Sequence, residues 1–353
     1  MSLVKLRKRI DALDSKIVSL LDERAKMSSI IGKEKLKHNK GIYAPDREKE
    51  VLKRIKALSK GPMTKNALDS IYREIMSSSL SLEKRLAIAY MGPQASFSNL
   101  AALKKFGSQV SYIPCDSISD VFYKVEKGEC DYGVVPIENS IEGAVTHTFD
   151  ILVDSDLKIC SQLLLEISHN LLSKTTLNKI KTIYSNPQVF GQCRHWLQVN
   201  LPTAELAEVS STTRAAQIAS KNKNTACIAS TLAAKVYNLK IIKKDIEDSL
   251  HNITRFLVIA SQDVPPTGKD RTSILFSIKD KVGALQDMLT PFRKNEINLT
   301  KIESRPSKKK AWDYFFFVDI EGHRLDTNVL RALKSLESKC NSLKILGSYP
   351  VLE

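Results

Sequence analysis

The chain has 353 residues, of which 42% are hydrophobic and 26% charged, so its composition predicts two or three folded domains and argues against a disordered chain. No run of about 18 apolar residues occurs, so we expect no membrane-spanning helix. The net charge of +15 would suit a nucleic-acid partner, but residues 1–85 alone hold 21 Lys and Arg against 11 Asp and Glu. Most of the excess charge therefore belongs to one segment.

The six cysteines are scattered and form no C-x-x-C pair, which argues against a zinc site or a disulfide framework. The N-terminal residues lack the apolar stretch of a secretory signal. We therefore expect a cytoplasmic protein without a metal.

Residues 1–85 have a helical pattern. Apolar residues from Leu3 to Ile31 follow a heptad spacing, which predicts one helix over about 3–37, followed by helices over about 46–58 and 64–84. A 35-residue helix is about 50 Å long, and two shorter helices cannot cover it. The uncovered apolar stripe predicts a helical partner, most simply a second copy of the chain.

Basic residues occupy particular heptad positions on this helix. Arg24 falls within the stripe, and Arg7 and Lys35 fall at its edge. Arg24 and Lys35 are about 16 Å apart on one side and can bracket a small molecule, whereas Arg7 lies about 25 Å from Arg24 and would have to come from an antiparallel copy. The pattern predicts a dimeric site for a small anion with several charges, and ordinary coiled-coil edge charge is the alternative.

Five strings carry a family resemblance in this segment: Leu6-Arg7 and residues 10–14, 20–24, 32–35 and 46–48. Together they resemble the all-helical chorismate mutase family, whose reaction needs no cofactor. The resemblance implies that Arg24 and Arg7 of a second copy clamp the carboxylates of chorismate. The other implied contacts are Lys35 with the ether oxygen, Glu48 with the ring hydroxyl, and Arg47, Ser79 and Glu83 with the substrate.

Two positions depart from that family. Ala44 stands where some members have aspartate, and Glu83 stands where some have glutamine as a second donor to the ether oxygen. A carboxyl group donates a hydrogen bond only when it is protonated. We therefore expect the mutase rate to fall as the pH rises.

From residue 86 to residue 262, short β-rich runs alternate with helical runs, which predicts an open α/β fold with two lobes and a cleft between them. Polar strings follow several strands, at residues 92–98, 135–140, 184–188, 211–216 and 252–256. Any one of them can be explained as helix capping. Together they resemble the prephenate dehydratase family.

This second resemblance implies that Thr254 is the catalytic hydroxyl. It also implies a set of substrate-binding residues: Glu138, Asn139, Ser185, Gln192, Ser211, Thr212 and Arg255. Arg255 could equally be structural. Ser210 stands where some members have glutamate, so we assign no acid there.

Residues 263–271 have the composition of a linker, and residues 272–353 show a βαββαβ order typical of a ferredoxin-like fold. The strings at residues 283–285, 298–302 and 303–306 resemble the ACT domain, a small amino-acid-binding module. The resemblance implies feedback by phenylalanine at an interface between two ACT domains. The implied contacts are Gly283, Ala284, Leu285, Asn298, Leu299, Glu303 and Ser304.

The sequence therefore predicts an enzyme with three segments: an all-α mutase domain (1–85), a two-lobed α/β dehydratase domain (86–262) and an α+β ACT domain (272–353). Its predicted partners are chorismate, prephenate, phenylalanine and further copies of the chain, as a dimer or a tetramer. One alternative is a dehydratase whose helical segment only dimerises. Another is a two-lobed ligand-binding regulator that uses the basic segment on nucleic acid.

Overall fold

The computed structural model describes residues 2–38, 41–249, 251–278, 282–306 and 314–351. The chain divides into two compact units. The first comprises Met1–Ile88, Phe106–Ser111 and Gln262–Glu353, and the second comprises Ala89–Lys105 and Tyr112–Ser261. Among the described residues, no helix combines the length and apolar character needed to cross a membrane.

The first unit begins with the predicted helices α1 (Leu3–Lys37), α2 (Pro45–Leu58) and α3 (Lys65–Glu83). Thr64 caps α3 by accepting a hydrogen bond from Ala67 N at 3.2 Å. Helix α3 packs along the C-terminal half of α1. The N-terminal half of α1 leaves its heptad side chains exposed: Leu3, Leu6, Ile10, Leu13, Ile17 and Leu20.

The second unit contains two sheets. The first has the order β2-β1-β3-β11-β5, with β4 on β3, and the second has the order β10-β6-β9-β7-β8. The strands are β1 (Ala87–Met91), β2 (Ser111–Cys115), β3 (Tyr132–Asn139), β4 (Gly143–Ala144), β5 (Lys158–Glu166), β6 (Asn170–Ser173), β7 (Thr182–Ser185), β8 (Glu205–Glu208), β9 (Thr225–Ala229), β10 (Lys240–Lys243) and β11 (Ile253–Ala260). The helices are α4 (Phe97–Phe106), α5 (Ile118–Glu126), α6 (Thr146–Asp154), α7 (Pro187–Gln192), α8 (Arg194–Asn200), α9 (Thr212–Ala219) and α10 (Thr231–Val236). The two sheets confirm the two predicted lobes.

The chain passes between the lobes twice, after β5 and before β11. The two crossings run side by side, since Ile167 N donates to Asn252 O at 2.8 Å. Strand β11 is antiparallel to both β3 and β5, and β6 is antiparallel to β9 and β10. The alternation of elements in the sequence did not indicate these antiparallel pairs, because they join strands that are distant in the chain.

The remainder of the first unit is a four-stranded sheet of order β13-β14-β12-β15 with two helices on one face. Its elements are β12 (Asp270–Ile278), α11 (Ala284–Lys294), β13 (Leu299–Pro306), β14 (Tyr314–Glu321), α12 (Thr327–Glu337) and β15 (Ser342–Pro350). This order confirms the predicted ferredoxin-like fold. Helix α2 packs against β15, and Lys49 Nζ donates to Lys269 O at 3.3 Å.

Candidate active sites

The first candidate site lies where α1 and α3 pack together. The Arg24 guanidinium of α1 donates a hydrogen bond to Ser79 Oγ of α3, and Ser79 Oγ in turn donates to Ile75 O at 2.9 Å. Burial lowers the pKa of Arg24 from its ordinary value, while Tyr72 and Glu83 act in the opposite direction. Arg24 is therefore a half-buried cation, suited to binding an anion by charge-assisted hydrogen bonds.

Lys35 extends this cluster. Its Nζ lies 3.0 Å from Glu83 Oε2 and donates to Ile42 O at 2.6 Å. The Lys35 side chain is 23% exposed and that of Glu83 is 8% exposed. The structure thus brings four predicted mutase residues together: Arg24, Lys35, Ser79 and Glu83.

The other predicted mutase residues are placed differently. Arg47 is exposed on α2 and pairs with Glu50 at 2.5 Å, yet it is close enough to Arg24 to contribute to the lowering of the Arg24 pKa. Glu48 Oε2 accepts a hydrogen bond from the Tyr43 hydroxyl at 2.8 Å. Arg7 is exposed near the start of α1, about 25 Å along the helix from Arg24. One chain therefore does not bring Arg7 to this cluster.

The second candidate site lies in the second unit at the crossing between its lobes. Thr254 on β11 is directly opposite Asn139 on β3, and Asn139 Nδ2 donates to Thr254 Oγ1 at 2.8 Å. Asn139 Nδ2 also donates to Asn252 Oδ1 at 2.7 Å. Thr254 is only 8% exposed. Its hydroxyl is therefore held in one position by a neighbouring strand.

Gln192 of α7 extends this network into the second lobe. Its Oε1 accepts from Asn252 Nδ2 at 3.0 Å, and its Nε2 donates to Glu142 Oε1 at 2.9 Å. His169 Nε2 lies 2.8 Å from the same Gln192 Oε1. Burial lowers the pKa of the His169 imidazole, which favours its neutral form. Polar groups from both lobes thus form one connected network.

Glu138 and Arg255 form a separate pair. Arg255 Nη1 lies 3.1 Å from Glu138 Oε1, and Arg255 Nε donates to Gln162 Oε1 at 2.8 Å. Successive residues of a strand point to opposite faces, so Arg255 and Thr254 diverge. The Arg255 side chain is 5% exposed. This geometry favours the structural interpretation of Arg255 over the substrate-binding interpretation.

The remaining predicted dehydratase residues lie in the second lobe. Ser185 is fully buried and its Oγ donates to Ile228 O at 3.0 Å. Ser211 caps α9 by accepting from Arg214 N at 3.1 Å, and Thr212 is the first residue of that helix. The next residue, Thr213, is buried, and its Oγ1 has no hydrogen-bond partner among the described residues.

Gly283, Ala284 and Leu285 form one group of predicted effector residues, and Asn298 and Leu299 form another. Gly283 precedes α11 with a φ of 78°, a conformation that favours glycine, and Ala284 and Leu285 follow it. The strand pairings place Pro306 and Ile278 opposite Tyr314 at one end of the sheet, while Leu299 and Thr272 are opposite Ile320 at the other.

These pairings separate the two groups within one chain. Asn298 and Leu299 therefore lie about 20 Å along the sheet from the end that leads to Gly283. Glu303 and Ser304 lie nearer the Gly283 end. One small molecule cannot contact both groups in a single chain.

Three family models match the chain in order. They are Chorismate mutase type II over residues 6–84, Prephenate dehydratase over residues 88–264 and ACT domain over residues 272–338. The bifunctional chorismate mutase/prephenate dehydratase of Aquifex aeolicus (strain VF5) is 49% identical over 353 residues, covering 99% of this chain and 98% of that protein. This chain belongs to that bifunctional family.

As a bifunctional chorismate mutase/prephenate dehydratase, the chain is an enzyme that rearranges chorismate to prephenate and then dehydrates and decarboxylates prephenate to phenylpyruvate. The family member of Stutzerimonas stutzeri is 44% identical and covers 98% of this chain and 96% of that protein. The prephenate dehydratase of Arthrobacter aurescens, solved in complex with L-Phe, is 32% identical with a TM-score of 0.70 over 75% of this chain and 90% of that chain.

Sequence reasoning missed several residues of this bifunctional enzyme's candidate sites. Tyr43, which holds Glu48, and Gln162, which holds Arg255, carry no local signal that would single them out. The side chains of His169 and Glu142 join the Thr254 network through Gln192, which is distant from both of them in sequence. Asn252 was detectable, because it lies within the string at residues 252–256.

Proposed function

We propose that the two reactions occur at the two separate sites described above, the mutase reaction at the α1–α3 cluster and the dehydratase reaction at Thr254. The observation that carries this proposal is the cluster of Arg24, Ser79, Lys35 and Glu83 between the two helices. A helical segment kept only for dimerisation has no need of two half-buried cations facing α3. This argues against the alternative of a dehydratase with an inactive helical segment.

In the mutase site, Arg24 binds one carboxylate of chorismate and the Lys35 ammonium donates to the ether oxygen on which negative charge develops. Such preorganised donors stabilise the transition state more than the ground state. Glu48, oriented by Tyr43 at 2.8 Å, accepts from the ring hydroxyl. Arg47 and Ser79 supply further contacts to the substrate, and Glu83 is the second group near the ether oxygen.

The second carboxylate requires Arg7 of another copy. The exposed apolar side chains along the N-terminal half of α1 support this, since a large contiguous apolar surface marks an interaction site. Two copies joined antiparallel through α1 would bring Arg7 of one to Arg24 of the other. The oligomer we propose is therefore at least a dimer.

In the dehydratase site, Thr254 donates a hydrogen bond to the ring hydroxyl of prephenate as it departs. Loss of carbon dioxide aromatises the ring and drives the reaction, so the enzyme must mainly assist the leaving group and hold the carboxylates. Gln192 and Asn139 line the cleft beside Thr254, and the start of α9 at Ser211 and Thr212 binds a carboxylate. The Glu138–Arg255 pair supports the strands β3 and β11 that carry Asn139 and Thr254, and Ser185 supports the sheet of the second lobe by joining β7 to β9.

Phenylalanine is the proposed effector of the ACT segment. The Arthrobacter aurescens relative was solved with L-Phe, and the separation of Gly283 from Asn298 supports a site shared by two copies. Gly283 leaves the first amides of α11 open to a carboxylate. The edge strand β13 pairs on one side only among the described residues, which supports a second copy beside it.

The cytoplasmic location also stays a proposal. All six cysteines are free, as expected in a reducing compartment.

The two-site proposal is tested with Thr254→Ala in the full chain. We expect phenylpyruvate formation from prephenate to fall by orders of magnitude, while prephenate formation from chorismate stays unchanged. Thr254→Ser is the matched control, because it keeps the hydroxyl, and it should retain most of the dehydratase rate. An equal loss of both reactions in Thr254→Ala would contradict two separate sites.

A further inference from the structure

We propose that Asn139 acts through Thr254: its amide fixes the direction of the hydrogen bond between them, so that the Thr254 hydroxyl must donate into the cleft. Asn139 is then a positioning residue for the dehydratase reaction and acts on prephenate only through Thr254. The inference rests on the proposed role of Thr254 as the donor to the departing hydroxyl.

The orientation of the Asn139 side chain is determined by the backbone. Its Oδ1 accepts from both Ile141 N and Glu142 N, each at 2.9 Å. A flipped amide would place its NH2 group against these two backbone N–H groups, and none of these donors would then have an acceptor. The Asn139 NH2 group therefore points toward Asn252 and Thr254, and each of its two hydrogens has one acceptor.

The residues linked to Asn139 through Asn252 support the same orientation of its side-chain amide. Asn252 accepts from Asn139 with its Oδ1, so its own NH2 group donates to Gln192 Oε1. Gln192 Oε1 cannot donate, so the nearby His169 carries its hydrogen on Nε2. Gln192 Nε2 donates in turn to the Glu142 carboxylate. Every side-chain amide in this network thus has one permitted orientation.

The Thr254 hydroxyl group has one hydrogen to donate and an oxygen that can accept. Its oxygen accepts from Asn139, and its own hydrogen meets no acceptor within the described part of the chain. That hydrogen is therefore available to the substrate.

In the reaction the ring carboxylate leaves as carbon dioxide and its bonding pair enters the ring. The C–O pair leaves with hydroxide, which takes a proton from solvent, and the Thr254 O–H stabilises that hydroxide.

The test is Asn139→Asp, which preserves the shape of the side chain. An ionised carboxylate can still accept from the two backbone amides, but it also accepts from the Thr254 O–H and withdraws that hydrogen from the substrate. We expect the dehydratase kcat to fall by about 100-fold or more at pH 8. The rate should recover as the pH falls, because the protonated carboxyl group donates again. A deficit relative to wild type that does not change with pH would overturn the proposal.

A double-mutant cycle keeps the proposal falsifiable if Asn139→Asp is poorly folded. If Asn139 acts through Thr254, then Asn139→Ala has almost no further effect on kcat in the Thr254→Ala background. Multiplying effects would show an independent substrate contact and overturn the inference. Full dehydratase activity in Thr254→Ala alone would instead refute the proposed function, so the two failures are distinguishable. The mutase rate of each variant reports on the integrity of the full chain.

Discussion

Gly32 of α1 lies directly against Glu83 of α3: a Cβ atom at Gly32 would be 2.7 Å from Glu83 Cβ and 2.9 Å from Glu83 Cα. Both of these distances are shorter than real Cβ contacts, and one of them is to backbone. The absence of a side chain at Gly32 therefore lets the two helices approach closely. This approach keeps Glu83 Oε2 within 3.0 Å of Lys35 Nζ.

Gly32→Ala should push the two helices apart and impair the mutase reaction alone. We expect the mutase rate to fall about 10-fold or more and the helical segment to lose about 1–3 kcal/mol of stability, as overpacked sites do. Gly61→Ala is the matched control, because its Cβ would meet nothing within 4 Å. Measuring both reactions and thermal unfolding checks this, and a normal mutase rate in Gly32→Ala would contradict the importance of the close approach.

Glu83→Gln should keep or raise the mutase rate. The amide of glutamine can donate to the ether oxygen, whereas a carboxylate paired with Lys35 Nζ at 3.0 Å can only accept. The measurement is the mutase kcat of both proteins under the same conditions. A clear loss of rate in Glu83→Gln would refute a role for this position as a donor to the ether oxygen.

Arg7 and Arg24 should complement each other between copies. Arg7→Ala and Arg24→Ala should each abolish most of the mutase activity, but mixed dimers of the two variants contain one site with both arginines. Co-refolding equal amounts should therefore recover roughly a quarter of the wild-type mutase rate, from symmetry alone. A site built within one chain would give no recovery.

The matched control for that mixture is the double variant Arg7→Ala/Arg24→Ala combined with wild-type chains. Its mixed dimers lack one arginine in each site and should be inactive in the mutase reaction. An equal mixture should therefore fall from half of the wild-type rate to the roughly one quarter that wild-type homodimers supply, whereas a site built within one chain would keep half. The dehydratase rate should stay constant throughout, because Thr254 lies in the second unit.

Phenylalanine should lower the dehydratase rate and raise the thermal stability of the chain. A ligand at about 100 times its Kd stabilises the folded state by about 2.7 kcal/mol. Leu285→Ala and Asn298→Ala should weaken both effects while leaving the uninhibited rate unchanged, and Lys334→Ala, at an exposed position of α12, is the control. If saturating phenylalanine changes neither rate nor stability, the ACT segment is not its sensor.

Much of the fold could be predicted because its signals are local. The heptad spacing of α1 predicted its bounds closely, and the βαββαβ order predicted the C-terminal sheet. Helices α7 and α8 meet at Cys193 with non-helical backbone angles, a break that no local sequence signal indicates. Strands β5, β6 and β10 were not predicted, because their pairings depend on segments far away in the chain.

The sequence alone determined the order of the three segments and the chemical character of both sites, since these follow from residue types at fixed spacings. The charge excess of residues 1–85 illustrates this, because only a few of its basic residues, among them Arg24 and Lys35, occupy heptad positions that suit contact with a substrate. The tertiary structure decided which residues meet. It placed Glu83 against Lys35 through Gly32, and it held Thr254 with Asn139 on a neighbouring strand. These contacts join positions far apart in the sequence, so only the packing of helices and the register of strands could establish them.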